Sequence, residues 1–151
     1  MNEPGIKYQL KIASSEDIYL HLKECNSDFI PPLDQKVDLH EYSKKISEKA
    51  ITFEAWENKI LIGLVAGYFN DIEKKIGYIT NVSVIKNWKG KGIALALMSQ
   101  CIEYAKKYSF NEIDLEVSSQ NIGALELYRK VKFVEFEKKN DMVFMKLKIN
   151  D

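Results

Sequence analysis

Apolar and polar positions change period several times along this chain, and each change marks a new element. Residues Tyr8 to Ala13 alternate and predict a first strand. Ser14-Ser15-Glu16-Asp17 then offers cap oxygens and acidic first-turn side chains to the unpaired amides of a helix start. Ile18, Leu22 and Cys25 recur at helical spacing, so this helix should run to about Cys25. Pro31-Pro32 stops any helix, because proline lacks an amide donor and biases the preceding residue toward extended backbone. Asp38 with Glu41 three residues later reads as a capping box, opening a second helix with Leu39, Tyr42 and Ile46 on one face.

From Ile51 the period becomes two: Ile51, Phe53 and Ala55 alternate with Thr52, Glu54 and Trp56, and Asn58-Lys59 turns the chain into a strand over Ile60–Phe69. The polar turn at Asn70–Lys75 leads into a further strand, Ile76 to Ile85. A strongly amphipathic helix follows, with Ala94, Met98, Cys101 and Ala105 on its apolar face and Ser99, Glu103, Lys106 and Lys107 opposite. Next come a strand at Ile113–Val117, a helix near Ala124–Val131 with Leu127, Tyr128 and Val131 inward, and strands at Phe133–Lys138 and Met142–Lys148 around an Asn140-Asp141 turn. The predicted order is βααβββαβαββ.

Composition narrows the class. At 151 residues and 46% hydrophobic, the chain can bury roughly 68–70% of its unfolded surface without disulfides or a metal. No repeat or linker interrupts it, so a single domain over 1–151 is expected. Cys25 and Cys101 are no secreted disulfide framework, MNEPGIKYQL lacks the order of a signal peptide, and no apolar run approaches the ~20 residues of a membrane helix. A cytoplasmic protein without membrane partners fits these features. The balance of 22 basic and 22 acidic residues argues against a nucleic-acid binder that relies on a basic face. His21 and His40 have no companions at metal spacing and read as solvated, so no metal is expected; Cys101 reads as core and Cys25 as structural.

Candidate chemistry begins where Val82-Ser83-Val84 runs into Lys89-Gly90-Lys91-Gly92-Ile93-Ala94 at a helix start. Glycines let backbone amides approach an anion, and a helix N-terminus adds unpaired N–H groups and a positive dipole end. Neither GxxxxGK[ST] nor GxGxxG is present, only Gly-x-Gly-x-Ala, with Lys86, Lys89 and Lys91 as a small basic cluster. A second group follows: Leu115-Glu116-Val117-Ser118-Ser119-Gln120-Asn121, then Ala124, Leu127-Tyr128-Arg129-Lys130 and Phe133.

Together the two segments resemble the acyl-CoA-binding half of the GNAT acyltransferase superfamily, with its (Gln/Arg)-x-x-Gly-x-(Gly/Ala) loop and its Asn-x-x-Ala-x-x-Leu-Tyr motif followed by Gly-Phe. The likeness covers about residues 76–136; residues 1–50 match in architecture alone. Lys89 stands where the family has Gln or Arg, and Lys132 where it has Gly. The resemblance implies an α/β (α+β) fold with a mixed, mostly antiparallel sheet of six or seven strands flanked by about four helices. It also implies acetyl-CoA as cosubstrate and N-acetyl transfer by direct attack of a primary amine, and it is compatible with a homodimer. The acceptor it implies is a small-molecule or peptide amine, and the lack of a long acidic stretch favours a small amine or amino sugar over a protein N-terminus or lysine. The alternative is a non-catalytic CoA-binding or regulatory module.

Carried over by position, the resemblance assigns Val82 and Val84 to backbone pairing with the pantetheine arm, where two parallel strands splay. Lys89, Gly90, Lys91, Gly92, Ile93 and Ala94 would receive the pyrophosphate. Asn121 would bind the cofactor arm or be a plain helix cap, and Tyr128 would be the general acid for the leaving thiolate or a core aromatic. Candidates for the base are Glu54, Glu116 and Asp34. Tyr78 and Asn81 are acceptor-side candidates, and Trp56, Tyr68 and Phe69 either line that region or pack in the core.

Overall fold

The computed structural model describes residues 5–149, so Met1–Pro4 and the last two residues of the expected domain lie outside the described residues. Along the chain run β1 (Lys7–Leu10), α1 (Ser15–Cys25), α2 (Leu39–Lys49), β2 (Ile51–Glu57), β3 (Ile60–Asp71) and β4 (Ile76–Val84). They are followed by α3 (Ile93–Lys107), β5 (Glu112–Ser118), α4 (Ile122–Lys130), β6 (Val134–Lys139) and β7 (Met142–Lys148). Among the described residues this is the predicted order, with seven strands and four α-helices. β1 is shorter than the alternation suggests, because Lys11 turns to φ 52° and takes the chain out of the sheet.

Local chemistry sets the boundaries. Ser14 Oγ accepts from Asp17 N at 3.1 Å while the Asp17 carboxylate accepts from Ser14 N at 2.9 Å, closing the box that starts α1. Asp38 starts α2 by accepting from Glu41 N at 3.0 Å. Asn58 and Lys59 both take positive φ, 47° and 66°, which suits the twist of a two-residue hairpin between β2 and β3.

The strands form one sheet in the order β1-β2-β3-β4-β5-β7-β6, antiparallel throughout except for β4 beside β5. One face packs on α3 and α4: Ile93, Leu97, Met98, Cys101 and Ala105 of α3 and Leu125 and Tyr128 of α4 join Phe53, Val65, Ile113 and Leu115. The other face packs on α1 and α2 through Ile18, Leu22 and Ile46 against Leu61, Leu64 and Ala66. Each such fully buried Leu, Ile or Met contributes about 1.5–3 kcal/mol relative to exposure. In α4 the fully inward pair is Leu125 and Tyr128, with Leu127 and Val131 half-buried, a rotation of the predicted stripe by part of a turn.

Two irregularities in β4 position the site. Against β3, Gly67 pairs with Ile79 and Ala66 with Asn81, so Thr80 is an extra residue that reverses which face the following side chains meet. Ile79 therefore packs with the α3 core, and so does Val84, five residues on. Against β5, pairing stops after Ile76–Glu112, Gly77–Ile113 and Tyr78–Asp114. Beyond Tyr78 the two parallel strands part.

Candidate active site

The gap between β4 and β5 opens into a cavity of about 760 Å³. Its walls are β4 from Tyr78 to Val84, β5 from Leu115 to Ser118, the first turns of α3 and α4, and the segment containing Phe29, Ile30, Pro31, Leu33 and Val37. A second, more open hollow of about 710 Å³ shares Val37, Tyr42, Tyr78 and Thr80 with the first and extends the groove toward Tyr68.

Val82, Val84, Lys89, Gly90, Gly92, Ile93, Ala94, Asn121 and Tyr128 all line this one cavity, although they come from three elements and a loop. Lys91 belongs to the same loop but is exposed and outside the cavity wall. Two further refinements concern Lys89. Its amide N–H already donates to Lys86 O at 3.2 Å, and its ammonium pairs with Asp28 at 3.0 Å across the mouth. Gly90 and Gly92 sit at φ 79° and 81°, a left-handed conformation that costs an L-residue roughly 1–2 kcal/mol. A Cβ at either would meet nothing within 4 Å. The space before them is open, and Gly92 as N-cap has no side chain to cover the amides of Ile93, Ala94 and Leu95, which have no intrahelical acceptor. Such a cradle fits a diphosphate.

Asn121 takes both positions its chemistry allows. It is the N-cap of α4, its Oδ1 accepting from Ala124 N at 3.2 Å, and it lies in the cavity wall, where that bond leaves its NH2 group unused. Tyr128 is 7% exposed, and burial pushes its hydroxyl above the ordinary tyrosine range. It packs against Phe133 and still borders the cavity, so its ring is core and its hydroxyl is a protonated donor at neutral pH.

The three base candidates separate cleanly. Glu54 is fully buried and accepts from Ile12 N, Ala13 N, Thr52 Oγ1 and Trp56 Nε1, a bracket that ties the β1–α1 connection to β2. Asp34, in a short 3-10 turn, is exposed and outside the cavity wall. Glu116 lines the cavity and is exposed to it, and its charge acts on the Tyr78 phenol. Burial and the Glu116 charge together raise that phenol. Trp56 and Phe69 are packing residues, Trp56 held by Glu54 and Phe69 in tilted contact with Tyr104 and edge-on contact with Phe110, whereas Tyr68 lines the outer hollow.

His21 differs from its sequence reading. It is 2% exposed, its Nδ1 2.8 Å from Leu61 O and its Nε2 2.9 Å from Ser83 Oγ, and burial lowers its pKa to about 4. His40 stacks on Tyr19. Cys25 and Cys101 are buried, and burial pushes both thiols up, Cys25 to about 12. Among the described residues no group of three or more His, Cys, Asp or Glu is placed to hold a metal ion, and no helix is long and apolar enough to cross a membrane. Asp28, Tyr42 and Thr80 were missed by sequence reading. Tyr42 looked like one more apolar position of α2, and the bulge that presents Thr80 has no signature in the local sequence.

The family model described as the acetyltransferase (GNAT) family matches residues 15–133. The chain is 36% identical over 80 residues to an uncharacterized N-acetyltransferase of Methanocaldococcus jannaschii, covering 50% of this chain and 35% of that protein. It is 30% identical over 96 residues to the N-acetylaspartate synthetase of Xenopus tropicalis, covering 64% of this chain and 35% of that protein. It thus spans about a third of the length of these curated relatives. In fold it is similar to a Salmonella typhimurium protein solved with its cofactor acetyl-CoA, with TM-score 0.75 and 18% identity over 97% of this chain and 95% of that one. The PaiA N-acetyltransferase of Thermoplasma acidophilum, in complex with coenzyme A, gives TM-score 0.72 and 14% identity over 94% and 99% of the two chains.

Proposed function

Because the chain belongs to the acetyltransferase (GNAT) family, we propose that it transfers the acetyl group of acetyl-CoA to a primary amine carried on a small molecule. The observation that carries this reading is the single cavity in which the parted strands β4 and β5, the uncapped start of α3 and the buried Tyr128 hydroxyl meet. Acetyl-CoA supplies an activated thioester and a strongly anionic handle.

The chain's own residues supply the rest. Unpaired backbone positions of Val82 and Val84 on the open side of β4 take the pantetheine amides as an added strand would. The amides at Gly90, Gly92, Ile93, Ala94 and Leu95 hold the diphosphate, and Lys89 and Lys91 add positive charge near it. The NH2 of Asn121 steadies the arm from the α4 side. Holding donor and acceptor together removes the need for an acyl-enzyme, because proximity and orientation alone make direct attack effective.

Proton traffic needs two ends. A free alkylamine has pKa ~10 and arrives protonated, so Glu116, the base candidate in the cavity wall, removes a proton before or during attack. Tyr128 donates its phenolic proton to the departing sulfur, and the second proton that the nitrogen sheds as the amide forms restores the phenol. Burial weakens the phenol as an acid, but the same burial destabilises a thiolate beside it, so the donor and the leaving group stay matched. Phe29, Ile30, Pro31, Leu33 and Val37 form a wall over the acceptor end, which favours a compact amine over a polypeptide.

The test is release of free thiol from acetyl-CoA across a panel of small amines, amino sugars and peptides, beside direct measurement of coenzyme A binding. Acceptor-dependent release with an acetylated amine as product is the expected result. Binding without release over the whole panel would move the chain to the non-catalytic module, and absence of binding would overturn both.

A further inference from the structure

A charge pair crosses the mouth of the cavity. Lys89, the residue before Gly90 of the phosphate cradle, reaches over to Asp28 with Nζ 3.0 Å from Oδ2, and the two side chains are 49% and 36% exposed. Asp28 closes the short 3-10 turn Asn26–Asp28 that follows α1, and residues between it and Val37 form the wall over the acceptor end. That wall is bonded mainly to itself. Asp34 N donates to Asn26 Oδ1 at 2.7 Å, Gln35 N to Pro32 O at 3.0 Å, and Lys36 N and Val37 N to Leu33 O at 2.9 and 3.1 Å. Leu33, 6% exposed, anchors its middle in the core beside Ile18 and Leu22 of α1. At the Asp28 end, the pair with Lys89 ties it to the glycine loop.

The ammonium that Asp28 holds is the one nearest in sequence to the cradle, so two anions compete for it. An exposed ion pair contributes little to the free protein, because water and salt screen it. A diphosphate seated on the uncapped start of α3 is the stronger rival: it carries more charge than a single carboxylate, and it adds the field of the helix end to its attraction for the ammonium. Lysine suits such an exchange, since its compact charge rides on a flexible four-carbon stem and can swing from one oxygen to another.

We propose that the Asp28–Lys89 pair is an autoinhibitory tether: in the free protein Asp28 holds Lys89 away from the cradle and fastens the acceptor wall to the glycine loop, and the cofactor diphosphate takes Lys89 over and unties the wall. Asp28 is a positioning residue that acts through Lys89. Cofactor affinity and the freedom of the acceptor wall are then linked, and by reciprocity each changes the other only by as much as the ion pair contributes. The inference rests on the cofactor site proposed above, but it is read from binding without turnover.

The experiment is titration calorimetry with coenzyme A on the parent, Asp28→Asn, Lys89→Gln and the double variant, at about 0.15 M salt, where charges more than about 8 Å apart are largely screened. Both positions are exposed, so the variants keep the fold. Asp28→Asn tightens coenzyme A about threefold, the range of an exposed pair, and the gain disappears in the Lys89→Gln background. Equal gains in both backgrounds would mean that Asp28 merely repels the phosphates, and no gain would mean that the pair does not compete; either result overturns the proposal. Pantetheine, which lacks the diphosphate, binds the parent and Asp28→Asn alike, and a gain there overturns it too. The tie to the wall is read without ligand by amide hydrogen exchange: Asp34, Lys36 and Val37 exchange about threefold faster in Asp28→Asn and in Lys89→Gln than in the parent, and unchanged rates in both variants count against the tether. If coenzyme A binds with this pattern and no amine is acetylated, the tether stands and the transfer reading fails. If the parent binds no coenzyme A, both fall.

Discussion

Glu54 and Glu116 show how little a residue type says before its neighbours are known. Both lie on strands and both looked like candidate bases, yet Glu54 is saturated by four donors while Glu116 faces the cavity. Glu116→Gln should lower kcat/KM about 100-fold at pH 7, the range expected for a lost general base. The deficit should shrink as pH approaches the amine's ~10, because the acceptor then arrives deprotonated. A deficit that stays constant across the pH–rate profile would remove Glu116 from proton transfer. Lys132 is the other informative residue. Its departure from the family glycine was visible in the sequence, and the structure gives the physical cost, since Lys132 sits at φ 81°. Lys132→Gly relieves this strain and should stabilise the fold by about 1 kcal/mol, raising Tm by about 2–4 °C in thermal denaturation, with turnover unchanged.

At the scale of elements, period and caps made the sequence readable. Ser14, Asp38, the Asn58-Lys59 turn and the α3 stripe each state their structure locally, and the glycine loop with the Asn121 to Tyr128 helix marked the cavity wall. What local pattern did not carry is the β4 bulge at Thr80, the parting of β4 from β5 and the burial of His21, because each depends on strands distant in sequence. The β4–β5 junction also holds an unusual carboxyl pair. Glu112 accepts from Asp114 and pairs with Lys148 at 3.0 Å, and the Asp114 bond leads the causes that hold Glu112 below the ordinary range. Burial, then the bond and charge of Glu112, raise Asp114 from 3.8 to about 7. The folded state keeps a proton that the unfolded chain has released between those values, so this site makes stability fall as pH rises through that window. His21, lowered from 6.5 to about 4, acts with the opposite sign, since the unfolded chain takes up a proton there first and stability rises with pH. Asp114→Asn should therefore leave the His21 rise unopposed, visible as increasing stability from pH 4 to 6.5 in denaturant titrations. An unchanged pH profile would mean that Asp114 titrates normally.

Across the whole molecule, a neutral sum conceals a polarised groove. The 22 basic and 22 acidic residues cancel, yet Lys89 lies beside the uncapped start of α3 at one end of the cavity while Glu116 lies on β5. The sheet makes this possible. Two helical layers hold its faces, and β4 and β5 stay paired only as far as Tyr78 and Asp114. The gap is thus a product of topology, and the residues that line it are scattered from Asp28 to Met142. Acetyl transfer at this site depends on a proton donor in that gap, and the sharpest test compares Tyr128→Phe with the parent protein for both turnover of acetyl-CoA with an amine and affinity for acetyl-CoA. The expected result is a kcat lower by about 100-fold with affinity unchanged. Equal turnover, or a loss confined to cofactor affinity, would contradict it.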